Sequence, residues 1–186
     1  LAQPEPDDTV VDLFCGSGTV CFEAKIAGYS TMGSDINPSF IEGCKQNETF
    51  LSEKFRFEAD INWKAQDATK IKTDSLPNGV LATEGFLGTN FDRKPSITEA
   101  ESEARRVLQM WDSALKQLEG SNIKRLAICL PNWQVKPGGL SIREKVFAKA
   151  QTYSYIPQAL FDGKSSYVYK RPGAFVGREI VVLHKK

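Results

Sequence analysis

A glycine-containing turn near the start of the chain, followed by an acidic residue, forms the pattern with the clearest chemical meaning. The run Asp12–Thr19 (DLFCGSGT) follows a β-branched segment and precedes a helical pattern. Glycines in such a turn let the backbone approach a ligand closely, and free N–H groups at a helix start favour carboxylate or anionic groups. Asp35 ends the next predicted strand, where a carboxylate can accept both hydroxyls of a ribose. The two features predict a nucleotide-like ligand at the carboxyl edge of a parallel sheet.

Two common nucleotide-binding motifs do not fit this turn. A dinucleotide fingerprint has a third glycine where this chain has Cys21, and no Gly-Lys-Ser/Thr follows, which excludes a P-loop. Tight turns between a strand and a helix also need glycine for packing alone. The turn by itself therefore does not identify the ligand.

The elements that must position these residues alternate between strand and helix patterns, which indicates βαβ units and a mostly parallel sheet. Strands are predicted at Thr9–Phe14, Thr31–Ile36, Ile61–Asp67, Val80–Thr83 and Arg125–Leu130. Helices are predicted at Ser17–Ala27, from Asn37-Pro38 onward, at Ser96–Glu119 and at Ile142–Ala150. Ser96 with Glu99 predicts a capping box at the start of the third of these helices. An apolar stripe along that helix is formed by Ala100, Ala104, Val107, Leu108, Trp111, Leu115 and Leu118. A closing antiparallel hairpin is predicted from Tyr167–Lys170 and Glu179–His184. With five buried strands, the predicted fold class is an α/β, Rossmann-like three-layer sandwich, formed by residues 1–186 as one domain.

Composition indicates a globular protein that needs neither a metal nor a membrane. Its 186 residues, 41% of them hydrophobic, are enough for one sizeable core, and no apolar run is long enough to span a bilayer. The four cysteines lack paired spacing, which indicates reduced thiols in a cytoplasmic protein. A single histidine, His184, argues against histidine-based catalysis. Because the sequence begins at Leu1 in a Pro- and Asp-rich stretch, we expect it to be the C-terminal part of a longer protein.

Charge is distributed unevenly along the chain, although the net charge is only +1. Residues 1–123 carry −8 and residues 124–186 carry +9. Cationic and aromatic side chains are interleaved in the second part, at Lys136, Arg143, Lys145, Lys149, Lys164, Lys170, Arg171 and Arg178 and at Trp133, Tyr153, Tyr155, Tyr167 and Tyr169. Such a set suits single-stranded or looped RNA, because cations follow the backbone and rings stack on bases. A solvated cationic surface and the strand packing of tyrosines explain the same pattern.

Two motifs in the first half of the chain resemble those of a known family. Asp12–Thr19 resembles the DPFCGSGT signature of the RNA methylase family that includes the tRNA guanine-10 methyltransferases. Gly33–Pro38 (GSDINP) resembles that family's G-x-D-[IL]-[DN]-P motif, and Asn47 matches the end of its A-x-x-N pattern. The resemblance extends from Val10 to about Gly88, and more loosely to the C-terminal hairpin. It implies a class I methyltransferase that uses S-adenosyl-L-methionine (SAM), an RNA partner such as tRNA, and a preceding RNA-binding domain.

The resemblance also implies which residues bind SAM. These are Asp12, Cys15, Gly16, Gly18, Thr19, Asp35, Ile36, Asp67 and Ala68. The turn residues would line the methionine part, Asp35 would hold the ribose, Ile36 would pack on the adenine, and Asp67 with Ala68 would meet the adenine edge. Asp35 can instead stabilise the dipole of the following helix from a place beside its N-terminus. Asp67 can instead be an ordinary turn residue at the end of a strand.

The predicted catalytic segment departs from the family pattern. Amino-methyltransferases of this type have a [D/N/S]-P-P-[Y/F/W] loop after the fourth strand, where this chain has Thr83–Gly88 (TEGFLG). An oxygen there must accept the hydrogens of an exocyclic amine whose lone pair is delocalised, and a ring must stack the base. Glu84 is predicted to supply the oxygen and Phe86 the ring, with Thr83 beside them. An ungapped match would give Leu87 the place of the ring, and Phe86 can also be a core residue.

Three functions are compatible with the sequence. The first is methylation of an exocyclic amine of guanosine in tRNA, and the second is DNA amino-methylation with the same cofactor and loop chemistry. The third is a catalytically silent cofactor-fold module that binds RNA or a partner protein. A turn predicted at Pro131-Asn132-Trp133, after the fifth strand, would border the substrate pocket in the first two cases.

Overall fold

The computed structural model describes residues 1–55, 58, 60–136, 138–160 and 162–186, which form a nine-stranded sheet covered by helices. The strands are β1 (Thr9–Asp12), β2 (Ser30–Asp35), β3 (Asn62–Ala65), β4 (Gly79–Thr83), β5 (Ile123–Gln134), β6 (Gly139–Ser141), β7 (Tyr155–Gln158), β8 (Tyr167–Tyr169) and β9 (Val176–Lys185). The helices are α1 (Thr19–Ile26), α2 (Pro38–Phe55), α3 (Ile97–Leu118) and α4 (Arg143–Thr152). None of the helices in these ranges combines the length and the apolar character needed to cross a bilayer.

The strand order brings the ends of β1, β2 and β4 together at one edge of the sheet. The order is β3-β2-β1-β4-β5-β9-β7, with β6 paired to β5 and β8 paired to β9. Strands β1 to β5 are parallel, and β9 lies antiparallel between β5 and β7. The chain reverses its direction of travel across the sheet at β1, and ligands bind beyond the carboxyl ends of strands at such a point. The predicted α/β sandwich and its closing β8–β9 hairpin are confirmed.

Neighbouring residues of the central strands face opposite layers of helices. Val10 and Val80 pack with Val20 of α1, whereas Val11 and Leu81 belong to the larger core that includes residues of α3 and α4. Side chains alternate between the two faces of a strand, so a strand covered on both sides must be apolar throughout. This requirement explains the short β-branched runs of β1 and β4.

Helix α3 begins with the capping box that its sequence predicts. Ser96 Oγ accepts a hydrogen bond from Glu99 N at 3.2 Å, and the Glu99 carboxylate accepts one from Ser96 N at 2.8 Å. The two bonds satisfy backbone groups that a helix start otherwise leaves unpaired. Along the predicted apolar stripe, Val107, Trp111 and Leu115 are fully buried. The prediction of the long helix is confirmed, with ends within a residue of those expected.

Strand β5 extends further than predicted, and the turn expected at Pro131-Asn132-Trp133 is wrong. Asn132 pairs with Ser141 of β6 on one side and with Gly177 of β9 on the other. Partners on both sides extend the strand to Gln134, and Trp133 is completely buried. Local turn preference at a proline was outweighed by pairing with residues distant in sequence.

The sheet edges also differ from the expectation of five buried strands. None of the four residues of β3 is buried, because β3 is an edge strand with a partner on one side only. Strand β7 was not predicted, and it contains Pro157, which has no N–H to donate. Proline is tolerated at a sheet edge because its missing donor then faces no neighbouring strand.

A buried acidic residue ties the C-terminal elements together. Glu179 of β9 is 2% exposed, and its carboxylate accepts hydrogen bonds from Arg143 Nη1 at 2.9 Å and Ser166 Oγ at 2.8 Å. The hydroxyl of Ser141 also donates to it. The network joins β6, the start of α4, the segment before β8 and β9. A buried carboxylate is tolerated only when it is paired and hydrogen-bonded in this way.

Candidate functional site

A cavity of about 740 Å³ lies beyond the carboxyl ends of β1, β2 and β4. Its volume is within the range of small-molecule sites in proteins. Most of the residues predicted to bind a cofactor line it, namely Asp12, Cys15, Gly16, Thr19, Asp35, Ile36, Asp67 and Ala68. Glu84 and Phe86 line the same cavity. The sheet topology therefore brings together the predicted cofactor residues and two of the three predicted catalytic residues.

Asp35 joins the two sequence motifs at the floor of the cavity. Its Oδ2 accepts a hydrogen bond from Gly16 N at 3.1 Å, and its Oδ1 accepts one from Asn37 N at 2.9 Å. A carboxylate has about four acceptor sites, so both oxygens retain capacity for further donors. The ends of β1 and β2 are also linked by a bond from Cys15 N to the Ser34 carbonyl oxygen at 2.9 Å.

Asp12 is buried at the end of β1 and is held by two donors. Its Oδ1 accepts hydrogen bonds from Thr83 Oγ1 at 2.5 Å and from Phe14 N at 3.0 Å. Burial raises the pKa of Asp12 to about 6, and the nearby charges of Asp35 and Glu84 act in the same direction. The two hydrogen bonds oppose this shift, because they favour the ionised carboxylate. Thr83 is not one of the described residues that line the cavity, and its hydroxyl donates to Asp12.

The two glycines of the turn have different surroundings. A Cβ on Gly16 would meet no atom within 4 Å, and the residue lines the cavity. A Cβ on Gly18 would lie 2.8 Å from the ring of Trp63 and 2.9 Å from that of Phe22. Gly18, at φ +85°, is therefore required for packing between α1 and β3, and it is not among the described lining residues. A role of Gly18 in binding the cofactor stays a prediction.

The Cys15 thiol is a buried part of the cavity wall. Burial raises the pKa of the Cys15 thiol, and that of the neighbouring Cys44 thiol, above the ordinary value for cysteine. Cys44 Sγ donates a hydrogen bond to the Gly16 carbonyl oxygen at 3.2 Å. A thiol that stays protonated is a poor nucleophile. These cysteines therefore act as apolar packing behind the turn.

The far end of the cavity combines exposed apolar side chains with an acidic residue. Ile36 is 70% exposed and Phe40, in the first turn of α2, is 49% exposed, although both line the cavity. Asp67 Oδ1 accepts hydrogen bonds from Thr69 Oγ1 at 2.7 Å and Thr69 N at 2.9 Å, and the side-chain bond lowers the pKa of Asp67. Sequence reasoning missed Phe40, although its place three residues into the helix after Asn37 could have indicated it. Exposed apolar groups at a cavity mouth suit the face of a planar ring.

The segment after β4 is held in place by glycine and tryptophan instead of proline. Gly85 has φ +72°, and a Cβ there would lie 2.6 Å from Trp111 Cζ2. The Trp111 ring also lies 5.5 Å from that of Phe14, between centroids. Phe86 lines the cavity, 37% exposed, with the Arg106 guanidinium 5.7 Å from its ring centroid. Leu87 lines a different cavity, so the register in which Phe86 is the aromatic residue is the one that agrees with the structure.

Glu84 has a partner that the sequence did not indicate. Its Oε1 accepts a hydrogen bond from Arg178 Nε at 2.9 Å and forms an ion pair with Arg178 Nη2 at 2.7 Å. The two residues are 94 positions apart, and only the pairing of β9 with β5 brings Arg178 to this edge of the sheet. Residue spacing contains no signal for such a contact.

The basic and aromatic part of the chain forms less of a binding surface than its composition suggests. The prediction that Trp133 and Tyr155 stack on bases is wrong, because both are completely buried. Tyr155 Oη instead donates a hydrogen bond to the Ile123 carbonyl oxygen at 2.7 Å. Tyr167 and Tyr169 of β8 are 56% and 46% exposed. Alternation along a strand cannot distinguish inward from outward tyrosines, which explains the error.

Ion pairs also occupy part of the predicted basic surface. Four of its cations contact carboxylates, in the pairs Arg143–Glu179, Lys149–Asp112, Lys164–Asp162 and Arg178–Glu84. The other four are Lys136, Lys145, Lys170 and Arg171, which are exposed and form no ion pair with the described part of the chain. The surface open to a polyanion is therefore narrower than the charge of residues 124–186 indicated.

Comparison with known proteins identifies the family. A family model described as "RMKL-like, methyltransferase domain" matches residues 1–111, which is more than half of the chain. The chain belongs to this family. The matched part of this RMKL-like methyltransferase domain contains every residue of the cavity lining named above. No curated protein sequence gives a significant match.

Solved methyltransferase structures share the fold of this RMKL-like domain at low sequence identity. A TehB-like SAM-dependent methyltransferase from Corynebacterium glutamicum is 15% identical, with a TM-score of 0.58 over 98% of this chain and 82% of that one. Magnesium protoporphyrin IX methyltransferase from Synechocystis, solved with SAM, is 12% identical, with a TM-score of 0.62 over 97% and 71%. A candidate tRNA (m1A22) methyltransferase from Streptococcus pneumoniae is 12% identical, with a TM-score of 0.60 over 97% and 65%. The domain is a Rossmann-like, SAM-dependent methyltransferase.

The cavity residues of the RMKL-like domain fit SAM. Asp35 retains acceptor capacity at the strand end, where a ribose would lie, and the space in front of Gly16 is open. The Asp12 carboxylate lines the cavity and would attract an ammonium group, and Ile36 and Phe40 offer apolar surface to an adenine. Polar groups that fix orientation, set in a mainly apolar wall, are typical of cofactor sites.

Proposed function

We propose that this domain methylates an exocyclic amine of guanosine in tRNA. The observation that carries the proposal is the position of Glu84, a carboxylate that lines the SAM cavity together with Phe86. The resemblance of the turn and Asp35 motifs to those of the tRNA guanine-10 methyltransferases supports the same substrate class. Family membership and fold support SAM-dependent methyl transfer, and the experiment below identifies the nucleoside.

The proposed roles divide the cavity between cofactor and substrate. Asp12 and Gly16 hold the methionine part of SAM, Asp35 holds the ribose, and Ile36 with Asp67 contacts the adenine. SAM, when bound, supplies a methyl group from its sulfonium and leaves as a neutral thioether that keeps the electron pair of the broken bond. Glu84 Oε2 accepts a hydrogen of the substrate amine and takes its proton after nitrogen is methylated. Phe86 stacks the base, and positioning of this kind can contribute about 7–11 kcal/mol.

The decisive experiment uses radiolabelled SAM and identifies the labelled nucleoside. The protein is incubated with unmodified total tRNA, and the RNA is digested to nucleosides for chromatography. We expect label in an N2-methylated guanosine. Duplex DNA in a parallel reaction tests the DNA amino-methyltransferase alternative. Bound SAM without transfer to either nucleic acid would instead favour the silent module.

A first prediction concerns the ribose contact. Asp35→Ala removes a charged acceptor, which costs about 1.5–3 kcal/mol, or about tenfold to a hundredfold in SAM affinity. Asp35→Asn keeps one acceptor oxygen, and we expect a smaller loss. Calorimetry measures both affinities, with Asp74→Ala, outside the cavity lining, as the control. Unchanged affinity of folded Asp35→Ala would contradict the ribose assignment.

A second prediction follows from the raised pKa of Asp12, which is about 6 because of burial. The ionised carboxylate attracts the ammonium group of SAM, and it is lost as the pH falls through the pKa of the free protein. We expect SAM affinity to be nearly constant above pH 7 and to fall by about tenfold per pH unit below pH 6. Calorimetry from pH 5 to pH 8 measures this slope. Asp12→Asn removes the titrating group, and a slope that persists in it would contradict the assignment.

A third prediction concerns RNA affinity. Lys170 and Arg171 are exposed cations without ion pairs in the described structure, and neutralised phosphates release counterions. Lys170→Glu with Arg171→Glu should weaken tRNA binding and lower the slope of log affinity against log salt by about two. Lys45→Glu with Lys54→Glu, an equal charge change on α2, is the control. Equal losses in both double variants, or no RNA binding at low salt, would contradict the proposal.

A further inference from the structure

A second cavity, of about 560 Å³, borders the site on the side of β9. The segment from Leu87 to Asp92 forms one wall, and the segment from Arg171 to Val176 forms the other. Glu84 lines the first cavity and Arg178 lines the second, so their ion pair stands at the boundary between the two. The pair is therefore placed where a substrate group would approach the cofactor.

The two oxygens of Glu84 are not equivalent. Arg178 Nε donates a hydrogen bond to Oε1 at 2.9 Å, and Arg178 Nη2 forms an ion pair with the same oxygen at 2.7 Å. Among the described residues, none donates a hydrogen bond to Oε2. The Glu84 side chain is 47% exposed, whereas that of Arg178 is 20% exposed. One oxygen is thus held by the protein, and the other remains available to a donor that enters the cavity.

The position of Arg178 is itself fixed by the sheet. It lies on β9 opposite Pro131 of β5 and Tyr169 of β8. The next residue, Glu179, is anchored in the buried network with Arg143. Because strand residues alternate between faces, anchoring Glu179 on one face directs Arg178 to the other. The position of the Arg178 guanidinium is therefore fixed by β9, whereas Glu84 lies outside a strand.

Glu84 has no comparable support from its own segment. It follows the last residue of β4 and precedes Gly85, which has a φ of +72°, and its side chain is half exposed. A half-exposed glutamate has several rotamers of similar energy. A partner that selects one rotamer lowers the entropy cost of ordering the side chain when substrate binds. Arginine does this better than lysine, because two of its N–H groups point in fixed directions.

From this geometry we propose that Arg178 is a positioning residue for methyl transfer. It holds Glu84 by Oε1 and leaves Oε2 directed to the hydrogen of the substrate amine. The inference rests on the proposed function, in which Glu84 is the acceptor. Arg178 touches neither cofactor nor substrate amine in this role and acts through Glu84 alone.

Steady-state kinetics on tRNA tests the role in transfer. We expect Arg178→Gln to lower kcat by about tenfold to a hundredfold with KM for tRNA changed by less than about threefold, because orientation is lost. Arg178→Lys should recover part of kcat. Arg105→Gln removes an exposed guanidinium of α3 and should leave kcat unchanged. Combining Arg178→Gln with Glu84→Ala should give no further loss than Glu84→Ala alone.

NMR of the free protein tests the ion pair without any activity measurement. We expect the Arg178 Nε–H signal to be protected from solvent exchange, and the protection to be lost in Glu84→Ala. Persistence of that protection in Glu84→Ala would overturn the inference. If the wild type methylates tRNA and folded Arg178→Gln has the same kcat as the wild type, the inference is also overturned. A wild type that transfers no methyl group to tRNA or DNA would overturn the proposed function, while the NMR result still decides whether Glu84 is held.

Discussion

Replacing Glu84 with alanine is expected to lower the rate of methyl transfer by about a hundredfold or more. The variant removes the carboxylate that lines the cavity in the segment after β4, two residues before Phe86. SAM affinity should stay nearly unchanged, because Glu84 is proposed to contact the substrate amine and not the ribose. Single-turnover kinetics with tRNA measures the rate, and calorimetry measures SAM affinity.

Two further variants separate the chemistry of Glu84 from its surroundings. Glu84→Gln keeps an acceptor oxygen, and we expect it to retain partial activity. Phe86→Ala should mainly weaken base capture, by about 1–3 kcal/mol for one lost stacking partner. Full turnover by Glu84→Ala would place the acceptor elsewhere in the site.

Replacing Arg143 with alanine is expected to lower the free energy of unfolding by about 3 kcal/mol. The reason is that Glu179, 2% exposed, then keeps a buried charge with only two serine hydroxyls as partners. For a chain of this length the loss corresponds to a Tm lower by about 6–12 °C. Chemical denaturation and calorimetry measure it.

The ion pair between Arg143 and Glu144 provides a matched control. It joins the same guanidinium to a glutamate whose side chain is 75% exposed. Glu144→Ala should therefore cost less than about 1 kcal/mol. Adding Glu179→Gln to Arg143→Ala removes the unpaired charge and should recover part of the stability. Equal costs for Arg143→Ala and Glu144→Ala would show that burial of Glu179 is not the cause.

Local sequence patterns predicted the first half of the fold well. The capping box at Ser96 fixes the start of α3, and the apolar runs at Val10 and Val80 require strands covered on both faces. Both signals are local, since neighbouring residues determine them. Strand β7 and the extension of β5 were missed because they depend on partners far along the chain. A strand that contains proline has little local preference for extended pairing.

The candidate site shows the same division. The turn at Gly16 and the carboxylate at Asp35 were predictable, because a parallel sheet places the carboxyl ends of its strands at one edge. The sequence did not predict that Gly16 and Gly18 differ: Gly16 lines the cavity, whereas Gly18 packs on Trp63. Both have positive φ, and only the position of the Trp63 ring separates their roles.

The sequence by itself determined the class of the domain, its cofactor and several residues that line its first cavity, because these depend on short motifs at strand ends. Tertiary structure decided which cations stay free, which aromatic rings are exposed, and that Arg178 holds Glu84. Burial and ion pairing depend on β9 returning between β5 and β7. Residue type and spacing do not determine which contacts the last 75 residues, which follow the family match, form with the first 111.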